Sequence, residues 1–209
     1  MRLYLLAACS CILYSPSALS LGPSAVFVFL HMRYFIAIVA PEQINQQVLE
    51  WKHYMLQHFN CKVALKSPAH ITLIPPFIMA EEMQPEIEEQ LQLFSARQQS
   101  FTIQLKNFAA FKPRVLYVHV QPNTHLSDLQ ASLEAFLLQH KHFPIKKEER
   151  SFHPHVTIAN RDLQKEDFPR AWQHFEQITY DVTFPANAIA LLQHNGQVWE
   201  IARTFPFNN

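Results

Sequence analysis

Phe152-His153-Pro154-His155-Val156-Thr157-Ile158 and its partner Ala69-His70-Ile71-Thr72-Leu73 decide how this chain is read. Both carry His-x-Thr followed by an apolar residue. Side chains alternate faces along an extended strand, so His70 and Thr72 point one way while Ile71 and Leu73 turn toward a core. The same holds for His155 and Thr157 against Val156 and Ile158. With 12 histidines and 7 threonines in 209 residues, chance would place about 0.4 such triplets, so a single one carries little weight. The placement of the two carries more.

They occupy matching positions in a degenerate internal repeat. The stretch from Arg33 to Pro41 lines up with that from Arg114 to Pro122 without a gap, each reading as a strand that opens on Arg and closes on Pro. Each is followed by an amphipathic helix with a similar end, Met55-Leu56-Gln57-His58-Phe59 and Leu137-Leu138-Gln139-His140-Lys141. Arg33 precedes His70 by 37 residues and Arg114 precedes His155 by 41.

Working outward, Tyr34 to Ala40 predicts a central strand, and Gln43 to Phe59 a helix with Ile44, Val48, Trp51, Met55 and Phe59 on one face. Lys62 to Leu65 reads as a short strand. Pro75-Pro76 should end the first motif strand, because proline cannot continue a ladder. An acidic helix is expected from Glu81 to about Arg97, then strands at Phe101 to Phe108 and Val115 to Val120 joined through Phe111-Lys112-Pro113. Leu126 to His140 predicts the second long helix, with Ser127 or Thr124 as cap. The charged run Lys146-Lys147-Glu148-Glu149-Arg150 leads into the second motif. A short helix at Glu166 to Phe175 follows, then strands near Ile178 to Phe184, Ala188 to Gln193 and Gln197 to Arg203, with a turn at Asn195-Gly196. Each half therefore reads strand, helix, motif strand, helix, strand. That order predicts an α+β fold with antiparallel or mixed sheets, and a duplicated unit packs naturally about a pseudo-twofold axis. The motif strands would then face each other across a cleft.

Lys+Arg and Asp+Glu number 17 each, which argues against a basic nucleic-acid coat, so contact with RNA should be local. Two glycines in the chain leave no phosphate-cradling glycine loop. Cys9, Cys11 and Cys61 cannot build a disulfide framework, and a reducing cytoplasm fits. Residues 1–31 are read as a start-site extension ahead of Met32, with a signal or anchor as the alternative and the protein then exported or membrane-held. Residues 32–209 are expected to form the working domain, with no membrane span and no partner chain needed.

Two imidazoles can accept and donate a proton at the same pH, and two hydroxyls can donate to phosphate oxygens without adding charge. Such a set suits in-line displacement at phosphorus with no metal and no cofactor. A cation near the hydroxyls is expected from Arg161 or Lys66, since a dianionic transition state favours one. Two other uses of these residues stay open. One is a nucleotide-binding module without turnover, and the other a zinc site of His153 and His155 with His140 or His142.

The duplicated motif at this spacing resembles the 2H phosphoesterase superfamily, and within it the LigT-like group of 2′-5′ RNA ligases and RNA 2′,3′-cyclic phosphodiesterases. The phrase His153-Pro154-His155-Val156-Thr157-Ile158 is close to that group's second motif. The resemblance spans Met32 to Asn209. It implies a bilobal fold and metal-free opening of a 2′,3′-cyclic phosphate to a 2′-phosphomonoester, on RNA ends or small cyclic nucleotides, with 2′-5′ ligation as the reverse reaction. It also implies that His70 and His155 are the catalytic pair, His155 as base and His70 as acid, and that Thr72 and Thr157 bind phosphate. The chain departs from the group in carrying Ile74-Pro75-Pro76-Phe77 after the first motif and in placing Arg161 one residue late.

Overall fold

The computed structural model describes residues 30–208. Eight strands and four α-helices follow in the order β1 (His31–Val39), α1 (Glu42–Phe59), β2 (His70–Ala80), α2 (Gln84–Ser95), β3 (Phe101–Phe111), β4 (Val115–Val120), α3 (Thr124–Gln139), β5 (His155–Ala159), α4 (Phe168–Phe175), β6 (Asp181–Ala186), β7 (Ala188–His194) and β8 (Trp199–Pro206). They form two antiparallel four-stranded sheets, ordered β2-β1-β7-β8 and β5-β4-β3-β6. The expected α+β architecture is the observed one.

The two sheets match strand for strand, but their strands are not drawn from consecutive halves. β3 leaves the first half to pair with β4, and the hairpin β7–β8 returns from the C-terminus to complete the sheet begun by β1 and β2. Exchange of these strands ties the lobes together. One buried apolar cluster accordingly runs through both, from Ile36 and Leu73 to Val118 and Ile158.

β2 and β5 are each an edge strand of their own sheet, and these two edges meet. Their backbones carry the same device. Ala37 pairs with Thr72 and Ile36 with Ile74, so Leu73 is an extra residue in the ladder; Tyr117 pairs with Thr157 and Leu116 with Ala159, so Ile158 is extra in the same way. A bulge directly after each threonine breaks the alternation and lets two successive residues face the core. Leu73 with Ile74, and Ile158 with Ala159, are indeed all buried.

The pairing corrects the repeat alignment. Val39 lies opposite His70, and His119 opposite His155. Val39 therefore corresponds to His119, one residue away from the position given by matching Arg33 to Arg114. Ladder register, which sets the face of every side chain, outranks similar letters at a strand's ends.

Other expectations also change. The prolines do not end β2, which runs on to Ala80; an edge strand needs no amide on its open side, and a second register shift accommodates Pro75-Pro76. Lys62 to Leu65 is no strand: Val63–Lys66 is a 3₁₀ turn, because the Asp162 Oδ2 accepts from the amides of Lys62 and Val63. The cap of α3 is Asn123, whose Oδ1 accepts from Leu126 N at 3.1 Å, in place of Ser127 or Thr124. α1 buries the predicted stripe and stops at Asn60, a left-handed residue with φ 53° that asparagine tolerates. β1 begins at His31, paired with Ala80, so the boundary drawn at Met32 falls inside a strand. Residues 1–29 of the proposed start-site extension lie outside the described residues. No helix among the described residues is long and apolar enough to cross a membrane.

Candidate active site

Four tethers place His70. Asn45 of α1 accepts the Ala69 amide at 2.8 Å, Ala40 N donates to Ala69 O at 2.9 Å, and the Lys52 ammonium donates to Ser67 O at 2.8 Å. The imidazole itself donates Nδ1–H to Pro68 O at 2.8 Å. His155 repeats the last of these, its Nδ1 lying 2.7 Å from His153 O. A carbonyl only accepts, so each bond fixes the neutral tautomer and leaves Nε2 as the basic nitrogen.

The surroundings differ. Phe35 lies against His70 with ring centroids 4.8 Å apart, backed edge-on by Trp199. His155 sits between Tyr117 and Phe111, at 5.0 and 5.2 Å. Burial depresses the pKa of His70 to about 4, with the charges of Lys52 and His155 acting in the same sense and the Pro68 bond opposing them. His155 is lowered too, chiefly by burial and further by His153. Two half-buried imidazoles are thus brought together from separate sheets, near enough for the charge of His155 to act on His70.

A cleft of about 420 Å³ opens between the motif strands, α3 and the segment before β5. Thr72, His153 and His155 line it, as do Phe111 and Phe152. Its cation is Arg150, which in the sequence is one charge within a mixed run. Of the site residues expected from the sequence, Thr72 and His155 border this cleft, whereas His70, Thr157, Arg161 and Lys66 do not. Arg161 is exposed on a left-handed turn with φ 50°. Lys66 is exposed at the end of the 3₁₀ turn, and its charge is felt with that of Arg33 at His194, on the β1–β7 side. His142 pairs with Glu86 at 2.8 Å, and among the described residues no three histidine, cysteine or acidic side chains converge as the zinc reading needs.

Lys52 is a second residue that the motifs do not point to. It is 3% exposed, and burial lowers its pKa to about 8, so it remains mainly cationic at neutral pH. A signal for it does exist in the sequence: it lies four residues after Val48 and three before Met55, within the apolar stripe of α1, where a charge calls for a reason.

A family model described as the 2′-5′ RNA ligase superfamily matches residues 40–198. The chain belongs to that superfamily. A Bacillus cytotoxicus protein carrying the name phosphoesterase is 28% identical over 142 residues, 66% of this chain and 78% of its own length. Among solved structures, Escherichia coli LigT complexed with 3′-AMP superposes with a TM-score of 0.63 at 19% identity, covering 86% of this chain and all of LigT. TT0787 of Thermus thermophilus gives 0.62 at 20% identity, covering 84% of this chain and 98% of its own. Those structures establish the fold. For this 2′-5′ RNA ligase superfamily member, membership and relatives point together to phosphoesterase chemistry.

Proposed function

We propose that the protein opens 2′,3′-cyclic phosphates of RNA ends or nucleotides to 2′-phosphomonoesters, by acid–base catalysis from His70 and His155 without a metal. The observation that carries this is the duplicated motif in its duplicated setting: each histidine holds Nδ1 on the carbonyl two residues before it, and each threonine is followed by the same bulge, at two abutting strand edges.

In the proposed step, Nε2 of His70 takes a proton from water as the water oxygen attacks phosphorus. The bond from phosphorus to the 3′ oxygen breaks, and Nε2–H of His155 supplies that oxygen with its proton. Thr72 and Thr157 donate to the non-bridging oxygens, and Arg150 balances the developing charge. The roles of the histidines are the reverse of those the resemblance implies. Lys52 disfavours a second positive charge on His70 and keeps it ready as acceptor, whereas an anionic phosphate arriving in the cleft favours the charged form of His155. Both histidines come from one chain, so one protomer suffices. Joining a 5′-hydroxyl to the cyclic phosphate, which leaves a 2′-5′ linkage, is the same displacement run with that hydroxyl in place of water.

The reading is tested by incubating the protein, in EDTA, with each nucleoside 2′,3′-cyclic phosphate and with a short RNA ending in one. Release of the 2′-phosphomonoester is expected. Binding without turnover would leave a nucleotide-binding module, and a product that is wholly the 3′ isomer would overturn the direction of bond breaking.

A further inference from the structure

His153 borders the cleft beside His155, yet the reaction proposed above gives its ring no task. The ring is held in place nonetheless. Its Nε2 lies 3.3 Å from the Tyr117 hydroxyl, and Phe111 meets both imidazoles edge-on, with centroids 4.9 Å from His153 and 5.2 Å from His155. Tyr117 also packs on the His155 ring at 5.0 Å and lies opposite Thr157 in the ladder, which puts it on the face that carries the motif. The first motif has no such pair: two residues before His70 stands Pro68, and opposite Thr72 stands Ala37.

Two imidazoles on one wall compete for one proton. A charge on His153 disfavours a charge on His155, and is felt as well by His119, which lies opposite His155 in the ladder. An anionic phosphate in the cleft favours a proton on either ring, whereas the proposed step uses one on His155. The Tyr117 hydroxyl distinguishes the two. With His153 neutral, the phenol donates O–H to Nε2 and the His153 proton sits on Nδ1. Protonating His153 would turn the bond around, with Nε2–H donating to the phenolic oxygen, and strand the hydroxyl proton of a side chain only 3% exposed. Burial raises the pKa of the phenol, so the hydroxyl keeps its proton. The other titratable or charged groups about His155 are His119, His70, Glu134 on α3 and the Arg150–Glu148 pair, and among the described residues none of them bonds to either ring.

We propose that Tyr117 and His153 are positioning residues for His155: the Tyr117 hydroxyl keeps His153 uncharged and so directs to His155 the one proton that the two imidazoles share. This rests on the role of acid given to His155 above and names the residues that keep it loaded. It also accounts for the one-sidedness of the pair, since the base, His70, works from the unprotonated form and has no proton to be assigned.

The test is a suppression, run on uridine 2′,3′-cyclic phosphate with the full chain. Tyr117→Phe keeps the ring contacts and removes the donor, and kcat at pH 7 should fall about fivefold, the scale of one hydrogen bond, with KM within about twofold. Adding His153→Gln, which cannot take up the proton and keeps the carbonyl that holds His155, should bring kcat back to within about twofold of the wild type. On a substrate whose leaving group needs no protonation, Tyr117→Phe should cost nothing. An undiminished kcat in Tyr117→Phe, a loss that His153→Gln does not restore, or a loss of the same size on the second substrate would overturn the assignment. If the cyclic phosphate is not turned over at all, the reaction itself has failed, and the pair is judged by NMR titration of His155 in the free protein. Tyr117→Phe should lower the His155 midpoint by up to about 0.7 units, the same fivefold, and His153→Gln should raise it. A midpoint unmoved by either substitution would overturn the pair.

Discussion

Lys52 and Glu134 stand at equivalent places on the two repeat helices, three residues before Met55 and Leu137, and each anchors the segment leading to its own motif strand. Lys52 donates to Ser67 O at 2.8 Å; Glu134 Oε1 accepts from Glu148 N at 2.8 Å. The mechanical job is the same, and the charge is opposite. Around this exchange the two sites diverge. His70 has a buried ammonium behind it, while the cleft beside His155 is lined by Glu134 and by an Arg150–Glu148 pair open to solvent. Duplication supplied two like histidines, and divergence behind them made two unlike environments. A single proton acceptor and a single proton donor need that difference.

The largest break in the comparison comes from the histidines. His70→Ala and His155→Ala should each lose about 10² to 10⁴ in rate on a cyclic phosphate, and the double variant should be little worse than the weaker single. A substrate whose leaving group needs no protonation sharpens the division: it should rescue His155→Ala and leave His70→Ala inactive. Rescue of His70→Ala alone would restore the roles implied by the resemblance.

The cations come next. Arg150→Ala should cost about tenfold in kcat/KM, the scale of one charge-assisted hydrogen bond, while Lys66→Ala and Arg161→Ala stay within about twofold. A tenfold loss at Arg161 with none at Arg150 would return the clamp to the site expected from the sequence.

Exchanging the anchors tests the electrostatic asymmetry more finely. Lys52→Met removes a charge that depresses His70, so the His70 pKa followed by NMR should rise from about 4, by less than about one unit because burial is the larger cause. Glu134→Gln should leave it unmoved. The acid limb of the kcat/KM profile should shift with Lys52→Met in the same direction.

The smallest effect is on stability. His70 has a folded-state pKa below its unfolded value, so between about 6.5 and 4 the unfolded chain binds more protons, and stability falls as pH is lowered through that window. Urea unfolding at pH 7 and pH 5 should show the fall, and His70→Asn should flatten it. An unchanged slope in that variant would mean that His70 does not carry the buried penalty.

Several elements were legible along the chain because their signals are local. The stripe of α1, the motif strands and the closing hairpin followed from periodicity and turn chemistry, and the repeat implied two similar sheets. The motif histidines and threonines stood out because a two-residue period puts them on one face whatever the neighbours do. Pairing could not be read this way. That β2 is an edge strand and so tolerates Pro75-Pro76, that β3 and β7–β8 cross between lobes, and that Val39 corresponds to His119 all depend on contacts between distant segments. The cleft follows the same rule. Arg150 looks like one charge in a solvated run, and Lys52 like an ordinary helical lysine. Arg150 borders the cleft because β2 and α3 meet the segment before β5, and Lys52 is buried where the approach to His70 folds back over α1. The sequence determined which residues could do chemistry and on which face of a strand they lie; only the tertiary structure decided which charges stand behind them, because burial and proximity are properties of the packed chain and not of any stretch of it.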